Sequence, residues 1–430
     1  MKRKFDVNPM RSGVLLAPGG ALWEDGASMQ AAHPSDFPPP LHDPAFHAGD
    51  PFPAFRRLRA ESPVHWHDTP GFWAVTRHED VPAVSRDPAT VCSSRGVLIA
   101  DIGRQMLPRE SVIFIDPPEH GKYRKLVQPV FSPGRLRALA VEIRETARRL
   151  LDEMLRRSEP GRPIDFVDEF SVHLPLLVIA DMLGVPGEDR ARFRIWSDGV
   201  IEAATQQTPE NMQLSTELLG YFASVVAERR ERPTDDVISA LVHSRIDGEQ
   251  LEEFDLLMFC LTLLVAGNET TRNLLSHGML ALATHPDERE RLARDPSLIP
   301  GAIEEMLRWG SPIGSFMRTA TRDTELRGMP IREGDRLLML YASANRDEAV
   351  YGPDAEEFRT TRDAGGHVAF GYGEHFCLGA ALARMEGRIA FEELLSRLEA
   401  VELAGPVERL WSISIRGIVH LPVALHEAGR

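Results

Sequence analysis

The sequence predicts a mainly α-helical fold with small β-sheets near both ends of the chain. Three observations carry this: long stretches with apolar residues every three or four positions, a short apolar pair around a Pro-Gly turn near residue 70, and a β-like apolar tail. The 430 residues are 43% hydrophobic and 26% charged, ordinary usage for a folded chain, so a large core is expected and global disorder is excluded. A formal net charge of −15, from 49 Lys and Arg against 64 Asp and Glu, excludes an overall basic nucleic-acid binder. Cys92, Cys260 and Cys377 are too few and too far apart for a disulfide framework or a four-cysteine zinc site, so a reducing cytoplasm is the simplest home.

Residues 1 to about 40 mix Gly, Ser, Pro and charge without helical period and end in Phe37-Pro38-Pro39-Pro40, which suits a mobile arm. The short apolar stretch Val14 to Ala17 is no signal-peptide core, so secretion is not expected. From residue 41 to 430 the chain reads as one large domain without internal repeats. Val64 to His67 and Phe72 to Val75 flank Pro70-Gly71 as a β-hairpin. Helical spacing then dominates over Arg135–Arg157, Glu188–Ala204, Glu210–Arg232 and Leu251–His285. The longest apolar run, Leu256 to Ala266, falls short of the about 20 residues a membrane span needs and predicts a buried core helix. Strand signals return at Ile331 to Ser343 and at Trp411 to Leu425, the latter interrupted by Gly417.

The segment richest in chemistry is Phe370-Gly371-Tyr372-Gly373-Glu374-His375-Phe376-Cys377-Leu378-Gly379, a loop that feeds the helix formers Ala380 to Leu395. Its glycines permit positive φ and a close backbone approach to something flat, and the following helix start points amides and its positive dipole end at the sulfur. Both effects favour a thiolate, the species that ligates haem iron. The loop resembles that of the cytochrome P-450 family, written F-G-x-G-x-H/R-x-C-x-G, with every fixed position present. The resemblance implies an α-rich part and a smaller β-rich part around a buried haem b (iron protoporphyrin IX), with Cys377 as the iron ligand and His375 on a haem propionate. Phe370, Gly371, Leu378 and Gly379 are then further haem contacts, and Cys92 and Cys260 are structural.

Ala266-Gly267-Asn268-Glu269-Thr270-Thr271 interrupts the most apolar helix. Glycine costs about 1 kcal/mol in a helix interior and an internal Thr can bond back to a preceding carbonyl, so a bend that opens a groove and a capped helix end followed by a second helix both stay open. An acid and an alcohol in a buried helix suit proton traffic. The segment is similar to the family's A/G-G-x-D/E-T pattern, which assigns Ala266 and Gly267 to the wall beside the oxygen-binding face and Glu269 and Thr270 to proton delivery to dioxygen. Glu lengthens the commoner Asp arm, and the Arg-Pro pair usual in peroxide-using members is absent.

Glu305 and Arg308, three apart on one helix face, are by spacing an ordinary surface pair. By resemblance they form a buried structural network with Arg362. Asp116-Pro117-Pro118-Glu119 begins a helix that carries His120 and Arg124 on one face. A basic helix face is commonly just solvated. In the family the matching pair binds the propionates, with Arg318 as a third cation.

The haem domain fills the chain, so resemblance implies electrons from a separate ferredoxin and its reductase, fed by NAD(P)H, with dioxygen as co-substrate. The basic residues Lys122, Arg124, Lys125, Arg135 and Arg137 could steer an acidic ferredoxin, or simply be solvated. Thr262, Val265, Ala266, Ile313, Gly314, Phe316 and Ile415 match pocket-lining segments and are mostly apolar, which implies a hydrophobic substrate such as a sterol side chain, a branched lipid or a terpenoid. The competing readings are a peroxide-driven oxygenase and a haem-thiolate protein that binds or senses without turnover.

Overall fold

The computed structural model describes residues 38–106, 111–158, 162–203, 208–246 and 248–427. Nearly all of the segment expected as an N-terminal arm therefore lies outside the described residues. The hairpin forms in the expected place, with Val64–His67 antiparallel to Phe72–Val75 and Trp66 opposite Trp73. It opens a five-stranded sheet in which Arg336–Met339 runs parallel to Phe72–Val75 and antiparallel to Phe316–Ala320, and Val91–Cys92 closes the far edge. A three-stranded sheet joins Leu398–Leu403, Pro422–Glu427 and Ile164–Asp165.

Helices fill the middle of the chain where the spacing predicts them: Pro133–Arg157, Arg190–Ala203, Pro209–Glu231 and Glu253–Thr284. The last is the central helix. The helices His173–Met182, Pro209–Glu231, Ile299–Gly310 and Ala380–Arg397 all pack on it. Its glycines mark the crossings, because a Cβ at Gly267 would overlap Ile179, and one at Gly278 would overlap Phe391 and Met306. By length and composition this helix could cross a membrane. In the fold its polar residues Asp255, Asn273, Ser276 and His277 are buried, and protein surrounds most of it.

Three expectations change. The central helix runs unbroken through Ala266–Thr271, because the Thr270 hydroxyl donates to the Ala266 carbonyl at 2.7 Å and the helix ladder is kept. The strand expected over Ile331–Ser343 is divided: Gly334 turns at φ 89°, Arg336–Met339 pairs, and Tyr341–Ala344 winds into a helical turn. In the tail, only Ile418–His420 and Pro422–Glu427 are strands, and residues 411–417 form a loop whose β-bridge joins Ile415 to Ile313.

Glu305 and Arg308 are fully buried, not a surface pair. Arg308 grips both Glu305 oxygens, at 2.6 and 2.8 Å, and donates to the carbonyls of Asn345, Ala355 and Glu357. Arg362 meets the same carboxylate at 3.3 Å, and the Arg359 amide donates to it at 3.0 Å. Glu305→Gln should cost about 3–5 kcal/mol by leaving Arg308 buried without its counter-charge. Thermal denaturation should show that loss, while the exposed Glu357→Gln stays near the parent.

Candidate active site

The cysteine loop is fixed by its own backbone. Gly371 and Gly373 adopt φ of 70° and 72°, and the Cys377 amide donates to the Phe370 carbonyl at 2.9 Å. The helix Ala380–Arg397 starts directly after Gly379, and the Gly379 amide hydrogen-bonds the Cys377 sulfur. The sequence predicts a thiolate here. The protein alone does the reverse: burial pushes the Cys377 thiol up, and the Gly379 amide, Arg124 and Arg384 only partly oppose it. A bound metal cation would supply the missing charge.

Four nitrogen-bearing side chains converge beside the loop. The rings of His120 and His375 lie 4.2 Å apart, Arg124 donates to the Glu374 carbonyl at 3.1 Å, and Arg318 projects from the five-stranded sheet. Burial, and then Arg318, His120 and Arg124, push His375 down to about 2, which places these groups close together. His120 is 3% exposed and its Nδ1 has no partner. No carboxylate forms an ion pair with Arg124 or Arg318 among the described residues. Two arginines without counter-ions, beside two imidazoles that burial keeps neutral, lack their anions.

On the central helix, Thr262, Ala266 and Thr270 recur every four residues on one face, and Val265 is 37% exposed beside them. Apolar exposure in the middle of a core helix means that this face borders open space. Thr262 is reached across the fold by Ser111, their oxygens 3.1 Å apart. The Ile313–Ile415 bridge brings two more expected pocket residues together; the Gly314 amide donates to the Ser414 carbonyl at 2.7 Å, and Phe316 meets Tyr341 edge-on. Two expected neighbours part company. Glu269 lies about 100° around the helix from Thr270, buried and bonded to Asn273 at 3.0 Å and Arg272 at 3.3 Å. Gly267 meets Ile179 at the helix crossing.

A cytochrome P-450 family model matches residues 176–409. The methyl-branched lipid omega-hydroxylase of Mycobacterium tuberculosis is 38% identical over 387 residues, 86% of this chain and 90% of that protein. This chain belongs to the cytochrome P-450 family. Among solved structures, a cytochrome P-450 of Chondromyces apiculatus superposes with a TM-score of 0.81 at 36% identity, covering 91% of this chain and 98% of that one. One from Bacillus megaterium in complex with testosterone gives 0.79 at 34%, covering 87% and 99%. The protein is therefore a cytochrome P-450 monooxygenase, an enzyme class that uses haem and dioxygen.

The residues fit a haem. Cys377 offers one soft donor that needs a cation, and the charged Arg124 and Arg318 with the neutral imidazoles of His120 and His375 offer a cradle of donors that suits two propionates. Sequence reasoning missed the supports of this cradle. Ser93 Oγ lies 3.2 Å from His375 Nε2. Arg384 stacks over Phe370 at 4.5 Å and pairs with Glu304 at 2.7 Å, and Glu304 also meets His367 at 3.2 Å. Glu304 sits beside Glu305 in the sequence, and its acidic character alone does not show which arginine it meets.

A Cβ at Gly373 would run into the Ser85 carbonyl, and φ there is positive. Gly373→Ala should therefore strain the loop by about 1–3 kcal/mol before any clash, and the purified variant should retain less haem per chain by absorbance. Glu304 provides a pH test. Burial raises its pKa, but hydrogen bonds from His367 and Arg384 outweigh that and hold it at about 2, below the 4.5 of a free glutamate. Its stabilisation is thus complete above 4.5 and is lost as pH falls toward 2. Glu304→Gln should therefore lower stability at neutral pH, where that contribution is complete, and flatten the acid limb of the stability–pH curve between 4.5 and 2.

Proposed function

We propose that this cytochrome P-450 hydroxylates a C–H bond of a hydrophobic small molecule, a sterol side chain, branched lipid or terpenoid, with dioxygen and two electrons from a ferredoxin. The open apolar face at Val265 and Ala266 carries the substrate reading. The lipid named for the mycobacterial relative and the steroid bound to the Bacillus structure support the same class. Haem, when bound, supplies the redox step: one oxygen atom enters the C–H bond and the other leaves as water after two electrons and two protons are taken up.

This chain's residues hold that group and move the protons. Cys377 is the proposed iron ligand, and His120, Arg124, Arg318 and His375 the proposed propionate partners, with Phe370, Gly371, Leu378 and Gly379 lining the loop side. Thr270 donates its own proton to the Ala266 carbonyl and can accept a hydrogen bond from water; turning that hydroxyl off the carbonyl would let it give its proton toward the open face while water replaces it. Glu269 is the proposed resupply. It reaches Thr270 through water or by leaving Arg272, whose side chain is 21% exposed to solvent.

Ferredoxin docking is proposed at the exposed Lys125, one residue from the Arg124 that meets Glu374 of the cysteine loop, and at the exposed Arg137 on the helix Pro133–Arg157. Arg135 contributes less than its sequence position suggests, because it pairs with Asp235. NAD(P)H enters through the reductase. Three free cysteines suit the proposed cytoplasmic setting.

Turnover of lipids, steroids and terpenols with ferredoxin, reductase and NADH tests the reading. The expected result is product only in the complete system, together with a high-spin shift of the ferric Soret band on substrate binding. Product formed with hydrogen peroxide alone would favour the peroxide-driven alternative. Thr270→Ala should lower product per NADH several-fold and raise peroxide release; an unchanged ratio would remove the relay.

A further inference from the structure

A second cavity, of about 590 Å³, lies behind the loop that carries Ile415. Neighbouring residues of an extended segment point to opposite sides, so Ile415 bridges to Ile313 while Arg416 turns into this cavity. Its wall combines Arg346, Arg409 and Arg416 with the aromatic side chains of Phe52, Trp309 and Trp411. Arg346 and Arg416 both stack on Phe52, at 3.4 and 4.5 Å. Trp411 is 57% exposed.

The donors are not used up. The Arg409 side chain makes no hydrogen bond or ion pair among the described residues. Arg416 spends Nε on the Gly310 carbonyl at 3.0 Å and keeps both terminal nitrogens free. Arg346, 5% exposed, donates to the Trp309 carbonyl at 2.9 Å, while its buried Nε has no partner. Glu356 stands 3.6 Å from Arg346 but is shared with Arg56 and Arg59. Asp50 and Glu408, both exposed, line the mouth. Three guanidiniums against these two carboxylates leave one net positive charge. Burial and then repulsion by Arg409 hold Arg416 down to about 9, and burial holds Arg409 below its usual value with Asp50 only partly opposing, an imbalance that an anion would relieve. His277, 1% exposed, gives its Nδ1 proton to the Asn273 carbonyl at 2.9 Å, which leaves Nε2 as a buried acceptor without a partner.

We propose that this cavity is a second ligand site, separate from the open face of the central helix, for an organic monoanion: a flat apolar body with one carboxylate and a hydroxyl donor. The guanidiniums match a planar carboxylate, the tryptophans and Phe52 match the body, and His277 matches the hydroxyl. The volume is that of an ordinary small-molecule pocket, roughly 300–1,000 Å³.

Calorimetric titration of the haem-loaded protein with hydroxynaphthoate, its iron face blocked by a bulky azole, tests the site. Binding should persist with the azole present and be lost for the neutral methyl ester. Arg409→Gln should weaken it about tenfold, the worth of one charge-assisted hydrogen bond. Arg409 supports no other group, so the thermal midpoint should not fall. Trp411→Ala should weaken binding independently. The proposal is overturned if the acid gives no heat, if the azole abolishes binding, if the ester binds as well as the acid, or if both variants bind like the parent.

Discussion

The buried pair of Glu305 and Arg308 is the interaction on which the rest of the structure depends. Two charges with no solvent exposure are tolerable only when every hydrogen bond around them is made, and here Arg308 is answered by one carboxylate and three backbone carbonyls. Those carbonyls belong to residues 345–357, a stretch with little regular structure. The pair thereby fixes a segment that its own secondary structure could not. Asn345 continues the chain of contacts: its carbonyl accepts from Arg308, its side-chain amide bonds Ser311, and its side-chain oxygen accepts from the Val368 amide at 2.7 Å. Val368 in turn accepts from Gly371. An unbroken hydrogen-bonded path therefore runs from the ion pair to the cysteine loop.

The cysteine loop is poised by opposing forces. Burial disfavours the thiolate, and two arginines with one amide favour it. The same burial disfavours the clustered cations of the cradle. A group that brings a metal cation to the sulfur and two carboxylates to the cradle relieves both at once, so binding of the proposed haem and stability of this region are linked. Arg384 couples the two halves, since it faces Cys377 electrostatically, stacks on Phe370 and is anchored by Glu304.

Much of this was legible in the chain. The hairpin at residues 64–75 and the long helices followed from alternation and from three- and four-residue spacing, because those periods report which side chains share a face. The loop around Cys377 was legible because glycine positions and a helix start are local requirements. The continuity of the central helix was not, since Thr270 can cap a helix or bond back within one, and only the helices packed around Gly267 and Gly278 favour the unbroken form. Nor does spacing alone give the burial of Glu305 and Arg308, which by that measure are an ordinary surface pair; only the resemblance implied it.

The sequence by itself determined the elements, the cysteine loop and the membership of a haem-binding family, each written in contiguous residues. Only the tertiary structure decided which distant groups meet. It placed Ser111 against Thr262, Ser93 against His375, and Arg346, Arg409 and Arg416 around one cavity. It also turned Glu269 away from Thr270 and drove the Cys377 thiol upward. The reason is physical: local periodicity fixes the direction of a side chain relative to its own element, whereas its partners, its burial and its charge state depend on how the elements pack.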